Sequence, residues 1–340
     1  MAKHMKFGLR IPLCDAPQKV AEVVARAEAG GCDIAWLPDS QCIWRDLWVS
    51  MAVAGLHTSR ITLGTCVTNP VTRHAAVTAS AAASMAELTG GGRLILGIGS
   101  GDSSVRVMGW ETAKLATMRE YIGMTRALLE GKSIAPYGRE FHLTGATGRP
   151  TPIYVAATGP KMLQLAGELG DGVILLSGVA KESIDFALTN LETGAKRAGR
   201  KLEDIDIVTG AFCDISANSR QVKNLARPYA AKWAWKHKET LRASGLPVPE
   251  MQDISGLYPD LSHAEDWDRA MAATKWVPDE MVEGFCEKFC LMGTADEVVA
   301  KIRTLASYGV TNLYIRWFYS YRLPNALCDV FSQQLIPQFR

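Results

Sequence analysis

Short runs of consecutive apolar residues alternate along this chain with longer stretches in which apolar residues recur every three or four positions. The first pattern is that of a strand buried on both faces, and the second that of a helix with one buried stripe. Lys6 to Ile11 is the first strand, and Ala16 to Gly30 follows as a helix stopped by Gly30-Gly31. Ile34 to Leu37, Ile61 to Val67 and Leu94 to Ile98 are the next strands, with Asp46 to His57 and the Ala-rich Ala75 to Leu88 as helices between them. The rhythm continues through a helix at Leu115 to Leu129, a strand at Pro152 to Ala156 and a helix at Pro160 to Leu169. A strand at Gly172 to Leu176, a helix at Lys181 to Ala198 and a strand at Asp206 to Ile215 come next. Ala295 to Tyr308 (helix), Asn312 to Arg316 (strand) and Leu323 to Leu335 (helix) complete the pattern.

Eight short strands separated by helices predict a (β/α)8 TIM barrel, as one domain over residues 5–340. One connection is far too long for an ordinary turn. About 95 residues separate the seventh strand from the eighth. Within it Ser219 to Ala243 and Trp267 to Cys290 read as helical, around a Pro-containing loop from Gly245 to Pro259. Residues 217–292 are therefore expected to form a helical insertion over the C-terminal mouth of the barrel, either as a substrate lid or as packing and dimer surface.

Charge narrows the function classes. The net charge is +2 and the charges are intermixed, so the extended basic surface that tracks phosphates is missing and no nucleic-acid partner is expected. No apolar run has membrane-spanning length, and Met1 to His4 lack a signal-peptide core, so a cytoplasmic protein is expected. The eight cysteines form no CxxC pair, and no His completes a zinc set beside Cys286 and Cys290, so no metal is expected.

In a barrel of this kind, chemistry sits on the loops that follow the strands. Ala157-Thr158-Gly159-Pro160-Lys161 is the best anion site: Gly159 permits close approach, and Pro160 suits the first turn of a helix whose free N–H groups could hold a phosphate. Ser177 and Gly178 follow the neighbouring strand and could close the other side. A plain strand-to-helix turn explains the same residues equally well. Gly97-Ile98-Gly99-Ser100-Gly101-Asp102 lacks the dinucleotide spacing and suggests backbone pressed against a flat ligand, although an Asp after a strand is more often a cap. Asp39 ends another strand, and Arg73 and His74 open a helix, where capping is the commoner use of a His. No serine-hydrolase elbow, HExxH or P-loop occurs.

Taken together, three stretches resemble the luciferase-like flavin-dependent superfamily, and within it the methylenetetrahydromethanopterin-reductase-like group. They are Leu63 to Pro70, Leu96 to Asp102 and Pro152 to Met162, joined by Gly170-Asp171-Gly172. The resemblance implies a flavin or deazaflavin across the barrel mouth, its phosphate near Thr158 to Lys161 and Ser177-Gly178. It also implies a bulge at Cys66, Val67, Thr68 and Asn69 with a cis Cys66–Val67 peptide behind the ring, and Gly99 and Gly101 beside it. The chain departs from many deazaflavin members in carrying Asp39-Ser40 where they have Asp-His, and Asp102 where they have Glu.

On this basis the sequence points to a monooxygenase using reduced FMN supplied by a partner flavin reductase. Asp39, His74, Asp102 and Arg45 are the expected polar groups around ring and substrate, and Trp44, Trp235, Trp317 and Tyr319 the expected pocket walls. Two alternatives are a reductase or dehydrogenase transferring hydride with the deazaflavin coenzyme F420, and a non-catalytic flavin-binding protein. A small organic substrate and a homo-oligomer complete the expectation.

Overall fold

The computed structural model describes residues 4–340 except 147, 217–222, 237–247, 251 and 255, and the side chains of 235 and 236. Its first half alternates β1 (Lys6–Arg10), α1 (Pro17–Ala29), β2 (Ile34–Leu37), α2 (Leu47–Leu56), β3 (Thr62–Thr65), α3 (Ala75–Leu88) and β4 (Leu94–Ile98). Two helices, α4 (Ser103–Arg106) and α5 (Leu115–Leu129), then lead to β5 (Ile153–Ala157), α6 (Pro160–Leu169), β6 (Gly172–Leu175), α7 (Lys181–Arg197) and β7 (Asp206–Ile215). The long connection carries α8 (Arg227–Lys236), α9 (Trp267–Ala273), α10 (Asp279–Phe289) and a short strand, β8 (Cys290–Gly293). The chain ends through α11 (Ala295–Ser307), β9 (Asn312–Arg316) and α12 (Asn325–Val330), extended by a π turn at Phe331–Leu335 and a 3-10 turn at Ile336–Phe339.

All strand pairs are parallel. β1 through β7 pair in sequence order, β7 pairs with β9, and β9 returns to β1, so eight strands close into a barrel. β8 lies outside this ring. The ten-residue β7 gives its first half to β6 and its second half to β8, through Phe212–Cys290 to Ile215–Gly293. The connection between β7 and β9 therefore contains a strand that begins at Cys290, where its sequence suggests helix. Its stretch Trp267 to Cys290 also splits into α9 and α10, because Pro278 cannot continue a helix and instead stands at the N-cap of α10.

The barrel interior is a packed plug. Trp36 on β2 is fully buried and lies between Tyr154 and Tyr314, with ring centroids 6.3 and 6.2 Å away. The indole fits because the neighbouring strands carry Gly8 and Gly64, where a Cβ would stand 2.3 and 2.2 Å from its ring atoms. A second apolar layer joins the outer faces of the strands to the surrounding helices. A third, including Tyr229, Trp267, Phe285 and Phe289, packs the β7–β9 connection onto Phe212 and Phe318 at the mouth. No described helix is long and apolar enough to cross a membrane.

Candidate active site

Above the plug the barrel opens into a cavity of about 330 Å³ at the C-terminal ends of the strands. Its floor and near wall come from the loops after β3 and β4. Cys66 N–H donates to Leu37 O at 2.7 Å, and Thr68 N–H to Gly97 O at 3.0 Å, so this loop is stitched to both neighbouring strands. The Cys66–Val67 peptide between those anchors is cis, and both residues line the cavity. Burial pushes the Cys66 thiol up to about 11, so it stays neutral at ordinary pH. Gly99 faces Val67 so closely that a Cβ would come within 2.7 Å of its methyl, and Gly101 turns at φ +83°. Both glycines leave bare backbone on the cavity surface.

Asp39, after β2, is the anchored carboxylate of the site. It is 2% exposed and accepts from Gln41 Nε2 (2.8 Å), Thr68 Oγ1 (2.8 Å), Arg73 Nε (2.7 Å) and a second Arg73 nitrogen (3.0 Å). Arg73 also bonds Asp46 at 2.8 Å. The pairing is a bidentate fork, the geometry a guanidinium prefers with a carboxylate. Asp102, after β4, is half-exposed and reaches two cations: Arg106 at 3.3 Å and, across the mouth, Lys232 of α8 at 3.1 Å. That second pair ties the β7–β9 connection to the barrel rim.

The far wall contains groups that sequence reasoning missed. α8 presents Tyr229, Lys232 and Trp233 to the cavity, the three-and-four spacing of one helix face. His263 lies in the loop before α9, its side chain 12% exposed, edge-on to Trp44 at 5.2 Å. Burial pushes its pKa down to about 4, so the ring is neutral. Arg316 donates to Nε2 at 3.2 Å, which leaves the ring proton on Nδ1, facing both Asp260 oxygens at 3.3 Å. Burial alone would raise the Asp260 carboxyl, but His263 and Lys232 outweigh it and hold it well below the usual carboxylate range. Arg10 and Arg316, the last residues of β1 and β9, complete this wall.

The expected site residues divide clearly. Asp39, Trp44, Cys66, Val67, Gly99, Gly101, Asp102, Thr158 and Gly178 line the cavity. Thr68 and Asn69 are buried behind the wall: Thr68 braces Asp39, and Asn69 Oδ1 accepts from Val71 and Thr72 N–H as a turn former. His74 is exposed, caps α3 through Ala76 N–H, bonds Tyr137 at 3.0 Å and does not line the cavity. Arg45 is also exposed and off the cavity; the cation beside Asp39 is Arg73 instead. Trp317 and Tyr319 pack edge to face at 4.6 Å outside the cavity, where Tyr229 and Trp233 take the wall positions assigned to them. The side chain of Trp235 lies outside the described residues.

Gly159, Pro160 and Lys161 head α6 rather than line the cavity, and no side chain caps that helix. Ser177 Oγ, after β6, is buried without a hydrogen-bond partner. Uncapped N–H groups and an unpartnered hydroxyl on neighbouring strand ends suit a phosphate. A flat ring fits the bare backbone at Gly99 and Gly101. The residues present thus fit a flavin-like cofactor with its ring near Cys66–Val67 and its phosphate toward β5 and β6.

A closed parallel barrel with a cavity at its C-terminal mouth is the TIM-barrel architecture, whose chemistry sits on the loops at that mouth. The luciferase-like monooxygenase family matches residues 5–312, and the chain belongs to that family. It is 33% identical over 317 residues to a 5,10-methylenetetrahydromethanopterin reductase of Methanolobus tindarius, covering 91% of this chain and 93% of that one. It is 34% identical to an F420-dependent glucose-6-phosphate dehydrogenase of Beutenbergia cavernae, covering 79% and 83%. Among solved structures, the F420-dependent tetrahydromethanopterin reductase of Methanopyrus kandleri superposes with a TM-score of 0.80 at 25% identity, over 99% of this chain and 100% of that one. A monooxygenase of Streptomyces bottropensis shares the fold at a TM-score of 0.68 and 19% identity. The homologues are oxidoreductases, and this chain is an oxidoreductase of the same family.

Proposed function

We propose that this protein is an F420-dependent reductase or dehydrogenase that exchanges hydride with a small organic substrate at the barrel mouth. The observation that carries the reading is the extended similarity, at a third of positions over nine-tenths of the chain, to reductases of that cofactor class. The reduced-FMN monooxygenase with a partner flavin reductase, expected from sequence, keeps support from the family and from more distant folds, and stands second. A merely flavin-binding protein stands third, since the polar groups converging on the cavity exceed what holding a ring requires.

The bound deazaflavin would supply a two-electron hydride donor or acceptor. The protein's part is positioning and exclusion. Cys66 and Val67 would support one face of the ring, Gly99 and Gly101 admit its edge, and Thr158, Ser177 and the head of α6 hold its phosphate. Asp39, locked by Arg73, offers a fixed carboxylate beside Ser40, where related enzymes carry a His. The β7–β9 connection, docked through Lys232–Asp102, would act as a lid that keeps water from the reacting carbon. We place the enzyme in the cytoplasm and infer a homo-oligomer, built on the exposed apolar residues of α2 and α3.

Anaerobic titration with reduced F420 and reduced FMN side by side tests the reading. Tight binding of F420 alone is the expected result. Tight binding of FMN alone would sink it and return the protein to oxygen-dependent chemistry.

A further inference from the structure

Two arginines end adjacent strands at the far side of the cavity. Leu9 of β1 pairs with Ile315 of β9, so the next residues, Arg10 and Arg316, stand side by side. Both line the cavity. Arg10 is 4% exposed and makes no side-chain hydrogen bond or ion pair among the described residues; its guanidinium lies 4.7 Å over the Trp44 ring. Arg316 spends one terminal nitrogen on Tyr229 Oη (2.9 Å) and His263 Nε2 (3.2 Å), while its Nε is buried without a partner. Among the described residues no carboxylate forms an ion pair with either guanidinium. Asp260 meets Arg316 through the neutral His263 ring, which fixes where the guanidinium points.

Two like charges, desolvated and left with open donors, form an arrangement a fold keeps only when something neutralises it. Burial, and then the charge of Arg316, push the Arg10 pKa down, whereas at Arg316 burial is outweighed by Tyr229, Tyr314, Cys66 and Asp260 and the guanidinium stays firmly charged. We propose that Arg10 and Arg316 seat the anionic group, a carboxylate or phosphate, of a substrate whose flat apolar body lies against Trp44, Phe212 and Tyr229. The inference rests on the cavity being where substrate meets cofactor. The cofactor's own phosphate does not compete for this seat. β5, which Thr158 follows, lies across the barrel from β1, and β7 separates β6, which precedes Ser177, from β9. The ring near Cys66–Val67 would then lie between the anion at Arg10 and the cofactor phosphate at Thr158, on strands that face each other across the barrel.

The test uses the full chain without cofactor, in low salt, titrated calorimetrically with benzoate, phenyl phosphate and neutral benzamide. At least one anion is expected to bind tenfold or more tighter than benzamide, and the tighter of the two identifies the group. Arg10→Gln is expected to abolish that preference and Arg10→Lys to restore part of it. Neither variant should change cofactor affinity, whereas Thr158→Ala should weaken the cofactor and spare the anion. Equal binding of benzamide, no binding of either anion, or anion binding undiminished in Arg10→Gln would overturn the inference. Because the probes are read without cofactor, a protein that binds the anions but not F420 refutes only the cofactor reading. One that binds F420 but not the anions refutes only this seat.

Discussion

Asp39 and Arg73 show how a site residue is made reliable. The carboxylate is 1% exposed and the guanidinium 14%. Removing the cation leaves a desolvated charge held only by Thr68 and Gln41, a change that typically costs about 3 kcal/mol or more. Arg73→Met should therefore lower the unfolding free energy by roughly that amount in urea denaturation; a loss under about 1 kcal/mol would mean the pair is effectively solvated. His263 sets a pH dependence. Its pKa drops from an ordinary 6.5 to about 4 on folding, so below 6.5 the unfolded chain takes a proton the native ring refuses. Stability from this residue is full above 6.5 and is lost as pH falls toward 4. The melting temperature should fall more steeply in that window for the wild type than for His263→Gln, and parallel curves would exclude His263 as the source. Asp39 was visible in the sequence because it follows a strand. Arg10 and Arg316 were not, because both lie within the runs read as strands and not on the loops that follow them.

Between elements, close approach outweighs local preference. α6 and α7 are in contact at Gly167 and Gly194, where a Cβ would stand 2.2 Å from Leu191 O and 1.9 Å from Gln164 O. Helix propensity alone would reward Gly194→Ala by about 1 kcal/mol. The backbone overlap is larger, because neither helix can move without disturbing β5 and β6 beneath, and overpacking of this kind costs about 1–3 kcal/mol. A net loss in chemical denaturation is the expected outcome, and a gain would mean the helices separate freely. Most strands and helices were legible, since apolar runs and three-to-four spacing are local signals. β8 was not, because Cys-Leu-Met-Gly carries no period of its own and becomes a strand only where β7 outlasts β6. The break between α9 and α10 was marked by Pro278, a signal overridden by the apolar pattern around it.

Across the molecule, one surface stands apart. α2 carries no charged residue, and its Val49 and Leu56, seven apart on one face, are 57% and 69% exposed. Neighbouring α3 exposes Val77 and Leu88, eleven apart, at 54% and 43%. Exposed apolar residues on two neighbouring helices, bordered on α3 by Glu87, fit a self-complementary interface. Light scattering after gel filtration should give twice the chain mass, and Val49→Glu with Val77→Glu should give the monomer. A wild-type monomer would end the proposal.

The alternation of buried strands and striped helices determined the barrel without reference to any contact, because burial on both faces admits few other arrangements for eight parallel strands. The glycine-rich loop at Gly97 to Asp102 likewise pointed to backbone that the fold places on the cavity surface. Which charged groups face that ligand was decided only in three dimensions. Closure of β9 onto β1 brings Arg10 and Arg316 together from opposite ends of the chain, and docking of α8 adds Tyr229 and Lys232 from an unrelated segment. Spacing along a chain cannot encode such neighbours, because they are set by the closure of the sheet and the packing of the layers around it.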